Sequence, residues 1–161
     1  MFNDDVDRKM CIICSKGTLD MAYPGLVLAN AALMEGIDVT LFFTFWGLDI
    51  INKKKMNKLK FVPVGNPSMP IPNMIGGLPG MTNVATAVMK REIANLDFPG
   101  VEEFLETISD AGGKMYACKM SVDMFEDMYM MKEKDIYERV EAVVGATDFM
   151  EMSQDAQIIF I

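Results

Sequence analysis

Short apolar runs alternate along this chain with longer stretches that end at glycine or at a polar turn. The runs predict buried strands, because they are short and rich in β-branched and aromatic residues. The longer stretches have the length and the stop signals that are typical of helices. The predicted strands are residues 8–15, 37–45, 114–119, 140–145 and 157–161, and the predicted helices are residues 19–36, 81–95, 100–113, 121–130 and 147–156.

This alternation predicts the fold class. About five strands that take turns with helices favour a three-layer α/β/α fold around a mainly parallel sheet. The first strand, helix and strand form a βαβ unit, for which a right-handed crossover is expected. A length of 161 residues fits a single domain, residues 1–161, with its own core.

Residues 61–99 interrupt the alternation, since six of the seven prolines lie there. Regular structure is mostly excluded from this Pro-, Gly- and Met-rich insertion until the predicted helix 81–95. A long irregular insertion in a compact domain is usually functional or disordered, and the Met and Ile content argues against disorder. We therefore expect an ordered flap over the functional site or at a subunit interface.

Composition adds an expectation about assembly and location. Hydrophobic residues make up 51% of the chain, which suggests more apolar surface than one monomer can bury and so predicts a homo-oligomer. No apolar run reaches the roughly 18 to 20 residues that a membrane span needs. The acidic start MFNDDVDRKM lacks the apolar core of a signal peptide. We expect a cytoplasmic protein without a membrane span.

The charge balance argues against nucleic acid as a partner. The net charge is −8, whereas binding to phosphate backbones needs clustered Lys and Arg. One dense basic run, residues 52–60, stands out. It fits a solvated helix end or connector, and it also fits a docking patch for an acidic partner protein.

The chain has no histidine and three cysteines. The lack of imidazole excludes the Ser/His and Cys/His hydrolases and most zinc sites, and we expect no metal and no organic cofactor. Cys11 and Cys14 form a CxxC pattern inside a predicted strand. They would face opposite sides of the sheet about 10 Å apart, too far for a disulfide, so we expect buried hydrophobes. Whether Cys14, near the strand end, takes part in chemistry stays open.

Cys118 lies where a predicted strand gives way to a helix. Ligands of open α/β sheets bind at the carboxyl ends of strands, and the helix N-terminus supplies amides and partial positive charge. Lys119 adds a full charge, and Ser121 is the expected N-cap. These features favour a reactive thiolate, provided that the site stays partly open. A buried, inert cysteine at a strand end fits the same residues equally well.

The loop after the first strand, residues 15–20, lies at the same edge of the predicted sheet. Ser15, Lys16 and Gly17 offer a hydroxyl, a charge and a tight turn that could hold an anion. A plain turn followed by a helix cap at Thr18 fits the loop as well.

Three stretches resemble the DsrE/DsrF-like (DsrEFH) family, and within it the DsrE-type sulfur-transfer proteins. They are SKGTLDMAYPGLVLANAALMEGIDVTLFFTFWGL, PNMIGGLPGM and YACKMSVDM. The resemblance covers nearly the whole chain in the right order. It implies an architecture similar to flavodoxin and assembly into oligomers.

The resemblance also implies a function and a site. The family cysteine matches Cys118, which would hold sulfane sulfur as a persulfide or thiosulfonate and exchange it with TusA-like or rhodanese-type proteins. Lys119, the amides around Ser121 and residues 15–17 would support the anionic sulfur, and no cofactor would be needed. A peroxiredoxin-like thiol redox protein and a non-catalytic subunit of an oligomer are the alternatives.

Overall fold

The computed structural model describes residues 7–65, 68, 72–128 and 130–161. Within these residues strands and helices alternate as the hydrophobic pattern predicts. The strands are β1 Lys9–Cys14, β2 Asp38–Phe43, β3 Lys114–Cys118, β4 Ala142–Val144 and β5 Gln157–Phe160. The α-helices are α1 Leu19–Met34, α2 Asn73–Gly76, α3 Met81–Asn95, α4 Val101–Asp110, α5 Lys119–Asp127 and α6 Ala146–Met152, with 3₁₀ helices at Phe45–Ile51, Met56–Lys58 and Glu133–Asp135.

The described strands form one parallel sheet in the order β4-β3-β2-β1-β5. The predicted α/β class with a parallel sheet is confirmed. This order differs from the 2-1-3-4-5 order of flavodoxin. The likeness to flavodoxin is therefore one of layer architecture and not of strand order. In register, Cys14 lies beside Phe43 of β2, which in turn lies beside Ala117 of β3. The carboxyl ends of the central strands therefore share one edge.

The order of the strands decides which face each helix covers. From β1 to β4 the chain steps across the sheet in one direction, and right-handed crossovers therefore place α1, α4 and α5 on the same face. The step from β4 back to β5 runs the other way, so α6 lies on the opposite face. The main core accordingly lies between the sheet and helices α1, α4 and α5. It includes Ile12 of β1, Leu26 of α1, Leu105 of α4 and Phe125 of α5.

The second face carries a smaller cluster of buried side chains. Cys11, Phe42, Cys118 and Phe149 form it, and the rings of Phe42 and Phe149 stack with centroids 4.4 Å apart. In the described part of the chain, α6 is the helix that covers this face. Two apolar side chains of the edge strand β5 remain exposed on this face. The exposed fraction is 45% for Ile158 and 69% for Phe160.

The segment 61–99 is partly helical. Thr86 of α3 bonds to the main chain of Phe61, and Pro99 accepts a hydrogen bond from Tyr23 of α1. Residues 66, 67 and 69–71 lie outside the described residues. The expected role of this segment as a flap stays a prediction, as does the single-domain organisation.

Gly47 gives a test of how tightly the carboxyl edge is packed. A Cβ at this position would overlap the carbonyl carbon and oxygen of Cys14, and main chain cannot move as a side-chain tip can. Gly47→Ala should lower the free energy of unfolding by about 3 kcal/mol or more, measured by urea denaturation. Gly100→Ser is the control, because a Cβ there meets nothing within 4 Å; an equal loss in both variants would contradict the packing described.

Candidate functional site

Cys118 lies at the junction of strand and helix that the sequence predicted. It is the last residue of β3 and the N-cap of α5, with φ −72° and ψ 118°. The Cys118 side chain makes no cap hydrogen bond, and the described residues give the amides of Lys119 to Ser121 no other side-chain partner, so these amides can face an anion at this edge. The local geometry thus suits a negatively charged sulfur.

The thiol is more buried than expected. Cys118 is 5% exposed and packs in the cluster with Phe42 and Phe149. The expectation that this site stays partly open is therefore wrong for the conformation described here. The reason is that Cys118 faces the side of the sheet that α6 covers, and Phe149 of α6 adds a large ring to that cluster. The side chain of Cys118 is thus largely shielded from solvent in this conformation.

Ser121 does not cap the helix, because α5 already begins at Lys119. The predicted N-cap is wrong. The Ser121 side chain is fully buried, and its Oγ lies 3.1 Å from Oγ1 of Thr44 and accepts a 2.9 Å hydrogen bond from the main-chain N–H of Phe45. The hydroxyl therefore ties the first turn of α5 to the turn that follows β2, and is not directed at a bound anion.

The turn after β2 brings residues to the site that the sequence analysis missed. Phe45 has φ +47°, a left-handed conformation that costs a non-glycine residue about 1–2 kcal/mol. The hydrogen bond from its amide to Ser121 helps to hold it there. Trp46 lies 5.0 Å from Phe125 of α5, measured between ring centroids, and is 47% exposed. The signal that could have revealed them is their place directly after a strand at the same carboxyl edge.

Lys119 is turned along its own helix. Its Nζ lies 3.1 Å from Oδ1 of Asp123, and both side chains are more than half exposed. The charge expected beside Cys118 is therefore paired with a carboxylate one turn further on. Such a surface pair contributes little to stability.

The loop after β1 is filled by other parts of the chain. The N–H and the hydroxyl of Ser15 both donate to the main-chain oxygen of Ile161, at 2.7 and 2.8 Å. A Cβ on Gly17 would overlap Trp46, which shows how closely the 3₁₀ helix Phe45–Ile51 covers the loop. Lys16 is exposed. Thr18 occupies the N-cap position of α1 but makes no side-chain cap bond, and the anion-supporting role of residues 15–17 stays a prediction.

Cys11 and Cys14 face opposite sides of the sheet, as the strand period predicted: Cys14 lies in the main core and Cys11 in the cluster with Cys118. Burial raises the pKa of the Cys14 thiol to about 12. Burial also raises the pKa of Cys11, against smaller opposing effects of a hydrogen bond with Thr40 and the charge of Lys9. Both are therefore held as neutral thiols at physiological pH.

The three cysteines are all described, and all are free. From the strand register, the Cα of Cys118 lies about 16 Å from that of Cys11 and about 10 Å from that of Cys14. A disulfide needs a Cα separation below about 7 Å. Neither cysteine can pair with Cys118 in this fold.

Two further observations concern ligands and membranes. Across the residues that the structure describes, no group of three or more acidic or cysteine side chains is arranged to hold a metal ion. None of the described helices combines the length and the hydrophobicity needed to cross a bilayer. The expected absence of a cofactor stays a prediction.

The fold and the cysteine at its carboxyl edge define a class of α/β proteins, and comparison with known proteins identifies it. The sequence profile of the DsrE/DsrF/DrsH-like family matches residues 6–161. The chain therefore belongs to this family, as its motifs indicated.

Individual relatives agree with this assignment. The chain is 38% identical over 159 residues to the sulfur carrier protein DsrE2 of Allochromatium vinosum, covering 94% of this chain and 96% of the relative. It is 21% identical to the uncharacterized protein YrkE of Bacillus subtilis, over 96% and 97% of the two chains. The crystal structure of the ychN protein from E. coli superposes with a TM-score of 0.56 at 11% identity, covering 96% and 99% of the chains. That last likeness concerns the fold alone.

The Ser121 hydroxyl provides a test of the junction. Ser121→Ala should lower the free energy of unfolding by about 1–3 kcal/mol, because the buried Thr44 hydroxyl and the Phe45 N–H lose their partner. Urea denaturation measures the loss, and the emission of Trp46 reports a change in the neighbouring turn. Ser109→Ala is the control, since the described residues offer its side chain no hydrogen-bond partner; a Ser121 variant no less stable than this control would refute the tie.

The pKa of Cys14 predicts how stability depends on alkaline pH. The Cys14 thiol has a pKa of about 12 in the folded protein, above its ordinary value of 9.0. The buried neutral thiol therefore contributes its full stabilisation below pH 9. This stabilisation is lost between pH 9 and 12, at up to about 1.4 kcal/mol per pH unit. Cys14→Ala should therefore show a shallower decline of unfolding free energy over this range than the wild type. Ile12→Ala, equally buried but without a titratable group, should keep the wild-type slope.

Proposed function

We propose that this protein is a sulfur carrier that holds sulfane sulfur on Cys118. The observation that carries the proposal is the position of this thiol at the carboxyl end of β3, against the uncapped first turn of α5. The 38% identity to a relative named as a sulfur carrier protein supports it. The residue assignment rests on the geometry and on the family motif around Cys118.

Loading is a thiol exchange that needs no net oxidation. The Cys118 thiolate attacks the outer sulfur of a donor persulfide, a new S–S bond forms to Cys118, and the donor's S–S bond breaks. The donor leaves as a thiolate and Cys118 becomes the persulfide. With tetrathionate as donor, the same attack on a central sulfur leaves a thiosulfonate on Cys118 and releases thiosulfate.

Unloading reverses the roles. An acceptor thiolate attacks the outer sulfur, the bond to Cys118 breaks, and the Cys118 thiolate is restored. The two steps divide the transfer through a covalent intermediate, and their electrons balance without a metal or organic cofactor. The amides at the start of α5 stabilise the anionic forms of the sulfur, while Lys119 adds less than a free cation would because Asp123 pairs with it.

The burial of Cys118 has a role in this scheme. A persulfide is reactive toward stray thiols, and the small cluster with Phe42 and Phe149 limits their access. Transfer then requires that the edge of the sheet opens when donor or acceptor arrives. Movement of the short helix α6, which is seven residues long, would uncover the face of the sheet on which the sulfur lies.

The geometry gives less support to a thiol redox enzyme. A peroxiredoxin-like cycle that forms a disulfide within one chain needs a second cysteine near Cys118, and the register puts Cys11 and Cys14 too far away. A single carrier cysteine needs no such partner.

Exposed apolar side chains support the expected assembly. Ile158 and Phe160 on the thinly covered face of the sheet, and Val84 and Val88 on α3, are all more than 40% exposed. We propose that a homo-oligomer buries part of this surface. Sulfur would be exchanged with TusA-like or rhodanese-type proteins, and the cytoplasmic location inferred from the sequence stays part of the proposal.

The proposal is tested by intact-mass spectrometry after incubation with polysulfide or tetrathionate. The wild type should gain the mass of one sulfur atom or of one thiosulfate group, and dithiothreitol should remove it. Cys118→Ser should gain neither, because the nucleophile is lost. Circular dichroism should show that this variant keeps its fold.

Cys11→Ala and Cys14→Ala are the matched controls, and both should still load sulfur. A sulfur adduct that persists in Cys118→Ser, or that is lost only in Cys14→Ala, would refute the role given to Cys118.

A further inference from the structure

A group of lysines lies beside the loop that follows β1. They surround a cleft of about 320 Å³ whose floor includes Gly17 and Thr18. The lysines that line the cleft are Lys54, Lys55, Lys58 and Lys60. The amide of Leu19 donates to the main-chain oxygen of Lys60 at 3.0 Å, and this bond holds the basic run against the start of α1. We call these four residues and Lys16 the lysine surface.

Part of this charge is neutralised within the chain. Lys54 pairs with Asp135 at 2.7 Å, and Lys55 pairs with Asp49 at 2.8 Å. For the remaining three lysines of the surface, the described residues provide no ion pair. The surface therefore keeps a positive excess on a chain whose net charge is −8.

The lysine surface is connected to helix α5, which begins directly after Cys118. The 3₁₀ helix Phe45–Ile51 joins them: its Asp49 lines the cleft, while its Trp46 packs on Phe125 of α5 and leaves about half of its own surface exposed. Phe45 is also exposed and is bonded through its amide to Ser121, three residues after Cys118. Phe45 and Trp46 thus form an apolar rim that extends from the lysine surface to the first turn of α5, at the carboxyl edge where Cys118 ends β3.

We propose that the lysine surface and the rim of Phe45 and Trp46 dock an acidic, cysteine-bearing segment of the protein that exchanges sulfur with Cys118. Carboxylates of the segment would meet Lys16, Lys58 and Lys60, while apolar residues would cover the rim and bring the cysteine to the edge of β3.

The exposure of the lysines favours a polypeptide over a small anion. Lys16, Lys58 and Lys60 are all exposed, and flexible amines in water hold a single small ion weakly. Several like charges on one surface instead steer an oppositely charged protein to its docking site, and exposed tryptophan is enriched in protein interfaces. This inference rests on the proposed function, because it identifies the surface through which that function is exercised.

Two peptides of equal length test the proposal. Each carries one cysteine, and one is rich in glutamate while the other is rich in lysine. Each is mixed with sulfur-loaded protein at about 0.1 M salt, where charges further away than about 10 Å are largely screened. The peptide thiolate attacks the outer sulfur on Cys118, Cys118 leaves as thiolate, and the peptide persulfide is measured by mass.

The acidic peptide should react about tenfold faster, a gain typical of electrostatic steering. The net charge of −8 would by itself favour the basic peptide. A preference for the acidic peptide can therefore be attributed to the lysine surface. Raising the salt to about 1 M, where the screening length is about 3 Å, should remove it.

Charge-reversal variants locate the effect. Lys58→Glu/Lys60→Glu should abolish the preference, and Lys58→Gln/Lys60→Gln should weaken it. Lys9→Glu/Lys114→Glu makes the same change of charge at the start of β1 and β3, the opposite edge of the sheet, and should leave the preference intact.

Peptide binding is also measured in an experiment that involves no sulfur transfer. Trp46 is the single tryptophan of the chain, and the acidic peptide with serine in place of cysteine should change its fluorescence, whereas the basic one should not. Equal responses to both peptides, or a preference that survives in Lys58→Glu/Lys60→Glu, would overturn the docking surface. A selective fluorescence response in a protein that loads no sulfur would support the surface and refute the proposed carrier function.

Discussion

The right-handed crossover of parallel strands is the constraint on which this structure depends. Because β1 to β4 follow one another across the sheet in a single direction, their connections must share one face. The return to β5 leaves the other face to α6 within the described chain. One face is thus thickly packed and the other thinly covered. The same parallel order places all carboxyl ends at one edge, where the turn after β2 and the start of α5 meet.

Cys118 combines the two consequences of this constraint. As the last residue of a parallel strand it lies at the edge where open α/β sheets generally bind ligands, and by the alternation of the strand it faces the thinly covered side. A thiol on the thick side would resemble Cys14, whose pKa burial raises to about 12. Opening the thick side would disrupt the main core, whereas among the described elements a seven-residue helix covers the side that Cys118 faces.

The hydrogen bonds of Ser121 connect the helix that follows Cys118 to the turn after β2. They join the first turn of α5 to Phe45, and the 3₁₀ helix that begins there extends to the cleft lined by lysines. Because Phe45 is held in a left-handed conformation, a contact that shifts this turn also acts on the turn beside Cys118.

The sequence by itself determined the order and type of the elements, the parallel α/β class, the opposite facing of Cys11 and Cys14, and the junction at Cys118. These follow from local periodicity and from the motif around the cysteine, which neighbouring residues along the chain define. Only the tertiary structure decided that Cys118 is buried, that Ser121 binds Thr44 and Phe45 instead of capping α5, and that Ile161 takes the donors of Ser15. It also brought the basic run 52–60 beside Gly17. Each of these is a contact between residues far apart in the chain. Such contacts depend on which face of the sheet each crossover connection covers, and no local sequence pattern encodes that.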